Sequence, residues 1–433
     1  MRIKNLDLKV FLAFISSLFL MLAARDLGGV YINQYLIIIY IAAYMFIVKY
    51  KYVVYSTAVV LPLLMGVNQF TILVPLFFLF FKAKKINSCQ VVFPVVLIFL
   101  EFILEVFVAQ CKLYDLSQYA LYIFMFSYLL FDENEGYDYG EVIKYFVLST
   151  AFVSLIIVLY SIQTYGIISI LSGAIRIGAV NSDIAMGFGM LTDIDETSTH
   201  FSVNPNTLAY FSISGISLLL IGKEKLKINN LLYLLSFASL LIAGALTVSR
   251  TWMLCLVLLF ALYFQKKIRE NFAFLLLALT IILVFLFVFK DSIIAELFSS
   301  RMDNGNVATG GGRTEIFSKY MNFLLNNPIH LLFGCSVIHY RDVAHIVNSV
   351  HCGLQQILVC YGCLGMLIFL VMAYQFKKRF YSYRGRKPFL YLLPFLIILL
   401  FDQSIQFLNP HYLMVPFIFA CYALRLSKLE ASR

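Results

Sequence analysis

The chain has 433 residues, 62% of them hydrophobic and only 13% charged. A soluble domain carries roughly 25% charged residues, so this composition excludes an ordinary soluble enzyme and points to a membrane-embedded chain. The formal charge of +10 does not argue for nucleic acid, because lysine and arginine sit in short clusters between apolar runs rather than on one basic face.

A membrane-spanning helix needs about 20 apolar residues. Runs of this kind cover roughly residues 8–24, 31–48, 53–66, 68–81, 91–110, 116–131, 142–165, 204–221, 230–247, 251–264, 272–289, 350–374, 388–404 and 407–426. The first follows the basic stretch Met1 to Lys9. No small-x-small cleavage site leads from it into a soluble domain, so a retained signal-anchor helix is expected. The third and fourth runs are the weakest. They share 29 residues around Gly66-Val67-Asn68-Gln69, and one long span there instead of two short ones would invert everything downstream. The expected fold is all-α, a single membrane-embedded domain over 1–433 with about 14 transmembrane helices and both termini cytoplasmic.

Placement of the basic residues orients the chain. With that span count, 24 of the 33 basic residues fall in cytoplasmic segments, among them Lys49/Lys51, Lys82/Lys84/Lys85, Lys223/Lys225/Lys227, Lys377 to Lys387, and Arg425 near the C-terminus. Nine remain outside: Arg25, Lys112, Arg176, Arg250, Lys290, Arg301, Arg313, Lys319 and Arg341. Two segments are too long and polar to be turns, 166–203 and 290–349, and both fall outside. Loops of this length tend to be functional. All six histidines (200, 330, 339, 345, 351 and 411) also map to the outer loops or outer helix ends. Short, lysine-rich cytoplasmic loops leave histidine few other places, but a functional outer face is the favoured reading. Eight cysteines form no disulfide framework. The pair Cys360 and Cys363 makes a C-x-x-C, but it lies inside an apolar run, where small helix-packing residues are expected.

The arginines carry the sharpest chemical signal. Arg250 follows the short turn Leu246-Thr247-Val248-Ser249 between two apolar runs. A guanidinium binds phosphate oxygens bidentately and stays charged at any working pH, so an outer-face arginine at membrane depth suits a lipid-linked diphosphate; snorkelling to lipid phosphates is the bland alternative. Arg176 is followed after ten residues by Gly187, and Arg301 after ten residues by Gly312, one such pair in each long loop. Gly310 to Gly312 precede Arg313 and an amphipathic stretch from Thr314 to Leu325, an arrangement suited either to an anion at a helix N-terminus or to a plain turn. His351 opens the twelfth run, as a general base, a hydrogen-bond donor or a solvated helix-end residue. Glu315, Asp303, Asp193, Asp195 and Glu196 are candidate bases, and Asp402 is notable for its cost within a span. The chain has no G-x-x-x-x-G-K-[ST], H-E-x-x-H or Rossmann motif, so ATP-driven transport loses support.

These motifs resemble a known family. The two R-x10-G pairs, Arg176 to Gly187 and Arg301 to Gly312, each in a large outer loop, look like those of the Wzy-type O-antigen polymerases. The Ser249-Arg250 turn, Gly311-Gly312-Arg313-Thr314-Glu315 leading to Asn327-Pro328, and His351…Gly362…Gly365 resemble the wider O-antigen polymerase and ligase superfamily. The ligase pattern departs at Cys352, where Asn, Ser or Gln is usual. The resemblance implies a membrane glycosyltransferase of the GT-C type in the bacterial inner membrane, with its site facing the periplasm. It would move a growing glycan from undecaprenyl diphosphate to a repeat unit on a second undecaprenyl diphosphate. No cofactor and no metal are implied. The partners would be those lipid-linked oligosaccharides, membrane lipid and a chain-length regulator protein, with no nucleic acid.

In this reading Arg250 and Arg313 bind diphosphate. Arg176 and Arg301, with Gly187 and Gly312, bind diphosphate or acidic sugar groups, and Arg341 and His345 line the same glycan site. His351 or Glu315 handles the acceptor proton. Two alternatives stand beside it. One is an O-antigen ligase. The other is a lipid-linked oligosaccharide flippase or exporter, for which polar residues at mid-membrane are expected; here that set is thin, comprising Glu101, Glu105, Asp402, Gln403 and Gln406.

Overall fold

The computed structural model describes residues 2–30, 32–64, 70–108, 113–134, 136–168, 205–247, 249–265, 313–380, 387–401 and 414–431. Every regular element among these is a helix. In chain order they are α1 (Arg2–Asp26), α2 (Gln34–Ile47), α3 (Tyr50–Leu64), α4 (Phe70–Lys82), α5 (Ser88–Val108), α6 (Leu113–Phe131) and α7 (Tyr139–Tyr165). Then come α8 (Pro205–Leu219), α9 (Lys223–Leu226), α10 (Asn230–Leu246) and α11 (Arg250–Tyr263). The rest are α12 (Arg313–Asn326), α13 (Pro328–Phe333), α14 (Tyr340–Ala344), α15 (Gly353–Phe380), α16 (Lys387–Phe401) and α17 (Met414–Ala431).

Thirteen of the apolar runs coincide with one of these helices, and the run 272–289 lies outside the described residues. Among the described residues, four helical stretches are long and apolar enough to cross a membrane: Leu6–Arg25, Ser88–Phe107, Tyr139–Tyr165 and Gly353–Phe380. Others are apolar but shorter. The 14 residues of α2 rise about 21 Å at 1.5 Å each, against a hydrocarbon core of about 30 Å. The 53–81 region contains two helices, α3 and α4, that pack against each other. A single continuous helix cannot do this, so the region holds two helices rather than one.

The core is built around α7, which packs against α1, α3, α8, α10 and α17. Its apolar residues face all directions, the pattern of a helix surrounded by others. Phe146 is fully buried and stacks on Phe419 of α17 at 4.0 Å between ring centroids. Apolar burial gives little preference between helix and lipid inside a bilayer, so close packing and internal hydrogen bonds carry the association. The Ser149 hydroxyl on α7 donates to the Val59 carbonyl of α3 at 2.6 Å, and Ser212 on α8 donates to the Leu240 carbonyl of α10 at 2.6 Å.

Several of the basic residues are held by polar groups of the 132–138 segment. Asn134 Oδ1 accepts from the backbone N–H groups of Lys84 and Lys85, both at 2.9 Å. Arg379, in the last turn of α15, pairs with Glu133 at 2.7 Å, and Lys227 pairs with Asp138 at 2.6 Å. Some of these residues are used as caps rather than as solvated charges. Lys82 donates to the Met45, Phe46 and Val48 carbonyls and so closes the C-terminus of α2. Arg425, counted by sequence among the cytoplasmic basic residues, is buried. It is 2% exposed and donates to the Asp132 carbonyl at 3.0 Å, the Leu129 carbonyl at 3.3 Å and the Leu130 carbonyl, at the end of α6. Its guanidinium lies 4.0 Å over the Phe380 ring. A cation is favoured there because the last carbonyls of a helix are unpaired and point along a negative dipole end.

Arg425→Ala should leave the end of α6 unsatisfied in the interior and cost about 3 kcal/mol or more. Arg379→Ala removes a partly exposed pair and should cost under about 1 kcal/mol. Thermal unfolding of the two detergent-solubilised variants would test the contrast, and equal midpoints would refute it.

Candidate functional site

The polar segment from Arg313 to Cys352 is fastened to the first half of α15 and to α5. Helix α12 packs on α13 and α15, and α13 packs on α15. The Gln355 side-chain amide donates to the Phe317 carbonyl at 2.7 Å. The Tyr320 hydroxyl donates to the Asn348 carbonyl at 2.8 Å, and its ring lies 6.0 Å from that of Tyr340. These contacts bring α12, α14 and the start of α15 into one outcrop.

The decisive feature is a break in α15. Gly362 has φ +64° and ψ −165°, and a Cβ placed on it would lie 2.4 Å from the Leu332 carbonyl. The backbone of α13 runs directly against it. Gly334, with φ +88°, closes the same contact from the other side, where a Cβ would lie 2.2 Å from the Cys360 carbonyl. Only a residue without a side chain fits both the left-handed conformation and the close approach. The break frees carbonyls above it. The Cys335 N–H donates to the Val359 carbonyl at 2.9 Å, and the Ser336 N–H donates to the Cys360 carbonyl at 3.2 Å. In a membrane such repair is obligatory, since no water is present to satisfy a broken helix.

The segment after Gly334 then meets two buried carboxylates on α5. Glu101 and Glu105 lie one turn apart and are both 0% exposed. The Ser336 hydroxyl contacts Glu101 at 2.7 Å and Glu105 at 2.5 Å. Glu101 also accepts from the Val337 N–H at 2.9 Å and the Ile338 N–H at 3.4 Å. His339, likewise 0% exposed, has Nε2 at 3.2 Å from Glu105 and Nδ1 at 3.4 Å from Asp342.

The sites expected from sequence distribute as follows. Arg313 and Glu315 stand in the first turn of α12, half-buried and exposed respectively. Arg341 is exposed on α14, and His345 is its exposed C-cap, in the left-handed conformation at φ 52°. His351 is half-buried just before α15, where the Cys352 carbonyl accepts from the Gln356 N–H at 2.8 Å. These five residues therefore share one outcrop. Arg250 is the first residue of α11 and is exposed, with Ser249 Oγ accepting from the Trp252 N–H at 3.3 Å as the cap. It stands on a separate helix, which packs against α16, whose Leu399 touches Gly353 at the start of α15. Arg176, Gly187, Arg301 and Gly312 lie outside the described residues, as do Asp193, Asp195, Glu196, Asp303 and Asp402.

Glu315 makes an exposed ion pair with Lys319 at 2.6 Å, one helical turn on. That hydrogen bond and charge hold its carboxyl below the usual range, which makes it a weaker base. His330 is absorbed by local structure, with Nδ1 3.1 Å from the Gly334 carbonyl oxygen and its ring stacked on Phe323. Of the C-x-x-C pair, Cys360 is buried at the repaired break, as expected of a packing residue, whereas Cys363 is exposed. Sequence reasoning missed the join between the two glutamates and His339. The cost of Glu101 and Glu105 was visible, but the partner lies more than 230 residues away in the chain. No protein-family model matches this sequence, and no curated protein matches it.

Gly362→Ala or Gly334→Ala should unseat the 334–339 segment at a cost of at least about 2 kcal/mol, from left-handed strain and overpacking together. Cys335, now 1% exposed, reports this. Maleimide labelling followed by mass spectrometry should find Cys335 protected in the parent chain and reactive in either variant. Continued protection in both would disprove the role of the break.

Proposed function

We propose that the chain is a polymerase for a bacterial surface polysaccharide, of the O-antigen type, working on lipid-diphosphate-linked oligosaccharides at the outer face of the cytoplasmic membrane. About 14 spans would carry it, with the lysine-rich end in the cytoplasm. One observation carries the reading. Arg313, Arg341, His345 and His351 share a polar outcrop held on the apolar helices α5 and α15, and both helices have basic clusters at their far ends, Lys84 and Lys85 before α5 and Lys377 to Arg379 closing α15.

Such a site suits a substrate with a lipid tail in the bilayer and a charged head at its surface. The donor sugar is activated by its diphosphate, so the energy for a new glycosidic bond is already present and no nucleotide is needed. The acceptor hydroxyl attacks the anomeric carbon, the bond from that carbon to the diphosphate oxygen breaks, and its electron pair leaves on the diphosphate. Guanidinium groups at fixed positions stabilise that growing charge, a contribution worth roughly 10²–10³ in rate for a single donor. In this reading Arg250, Arg313 and Arg341 grip phosphate together with Arg176 and Arg301. His351 and His345 hydrogen-bond sugar or phosphate oxygens.

The test uses cells that lack their own copy of the gene and carry variants at matched membrane levels, with polysaccharide length read on a gel. Arg250→Ala should reduce long chains by about 10²-fold, and Arg250→Lys should restore little, because an ammonium lacks the bidentate fork. A single repeat unit should remain on the acceptor. Complete loss of the unit would point to a ligase or an exporter instead, and unchanged long chains would remove Arg250 from the mechanism.

A further inference from the structure

Asp342 is the best-placed carboxylate of the described outcrop, and nothing in the sequence singled it out as a base. Its side chain is 71% exposed, while the histidine behind it is fully buried. His339 Nδ1 faces Asp342 at 3.4 Å and Nε2 faces Glu105 at 3.2 Å. Glu105 Oε2 is buried and accepts no hydrogen bond among the described residues, and His339 Nε2 approaches it to ion-pair distance. A buried histidine between two carboxylates, one in the interior and one at the surface, is more than a helix cap requires. Other polar atoms of the loop are consumed by anchoring, with Ser336 Oγ between Glu101 and Glu105 and the Val337 and Ile338 N–H groups directed at Glu101. His339 alone connects that anchor to an exposed group. Asp342 also shares a one-turn helix with Arg341, which places a phosphate-binding charge beside it.

We propose that Asp342 is the base that activates the acceptor hydroxyl, with His339 and Glu105 as positioning residues that hold it. The inference rests on the polymerase reading. To hold an Asp342 carboxylate, the imidazole must donate from Nδ1, with Nε2 turned to Glu105 at 3.2 Å. That arrangement fixes the tautomer and the ring plane, as an outer carboxylate does for a ligating or catalytic histidine. In the step itself the hydroxyl oxygen bonds to the anomeric carbon and its proton passes to the Asp342 carboxylate. The carbon–oxygen bond to the diphosphate breaks with its electron pair, undecaprenyl diphosphate departs, and Asp342 returns the proton to water. Base catalysis of this kind contributes about 10²–10⁴-fold.

The experiment compares Asp342→Asn, Asp342→Glu, His339→Asn, His339→Leu and Glu105→Gln in the same complemented cells. Polymer yield is read on gels, and Cys335 labelling reports whether the segment is seated. Asp342→Asn should lower long-chain polymer by about 100-fold with Cys335 still protected, and Asp342→Glu should recover part of it. An asparagine amide at 339 reaches the place of Nδ1, so His339→Asn should retain at least tenfold more polymer than His339→Leu, which a packing role alone would not produce. Glu105→Gln should cost about 10-fold. Parent-level polymer from Asp342→Asn, or equal yields from the two His339 variants with Cys335 protected in both, would overturn the proposal while leaving the polymerase reading intact. Failure of the parent chain itself to make long polymer would overturn both.

Discussion

The backbone break at Gly362 is the constraint from which the rest of the described polar region follows. A helix among lipid-facing helices must satisfy its own carbonyls, and a break frees some of them where no water can reach. Here the N–H groups of Cys335 and Ser336 fill the gap. That requirement draws a loop into the bundle, and a loop brings further unpaired N–H groups with it. Glu101 answers those donors, and the Ser336 hydroxyl reaches both Glu101 and Glu105. Each step creates the need for the next, so two costly features, a broken helix and a pair of buried carboxylates, become mutually compensating. His339 is seated at the end of this series, and through it the exposed α14.

Much of the helical architecture was legible because a long apolar run has few other uses. Runs such as 142–165 and 91–110 need no partner to be recognised, and their helices, α7 and α5, lie where the hydrophobicity put them. The 53–81 region was ambiguous for a physical reason. Gly66-Val67-Asn68-Gln69 is polar enough to interrupt a helix yet too short to announce a loop, and packing between α3 and α4 decides it. Charge was legible only in bulk. A count of lysines and arginines by segment treats every cation alike, whereas Lys82 and Arg425 are spent on helix ends and Arg379 and Lys227 on ion pairs. Part of that charge is architecture.

The candidate site was legible in its types and not in its connections. Arg313, Arg341, His345 and His351 stand close in sequence, so one outcrop was a natural expectation. Arg250 was identified from its isolation at a helix start, and it is an exposed first residue of α11. Glu315 was singled out in the sequence as a candidate base, and the folded chain pairs it with Lys319. The contact between α5 and the 336–339 segment had no local signal at all. No periodicity or spacing relates Glu105 to His339, and only the folded chain brings them to 3.2 Å.

That contact also bears on the choice between an enzyme and a transporter. A carboxylate pair inside a long apolar helix is the mark of an ion or proton pathway when its oxygens face a cavity and exchange partners. Glu101 instead spends its lone pairs on backbone N–H groups and a serine hydroxyl, and those donors are covalently part of a loop that cannot leave without exposing the break in α15. Release of Glu101 would therefore cost the repair of Val359 and Cys360 as well. A group held this tightly is poorly suited to cyclic loading and unloading. It is well suited to holding an exposed segment at fixed height against the bilayer, which is what a reaction between two lipid-anchored substrates demands of its protein.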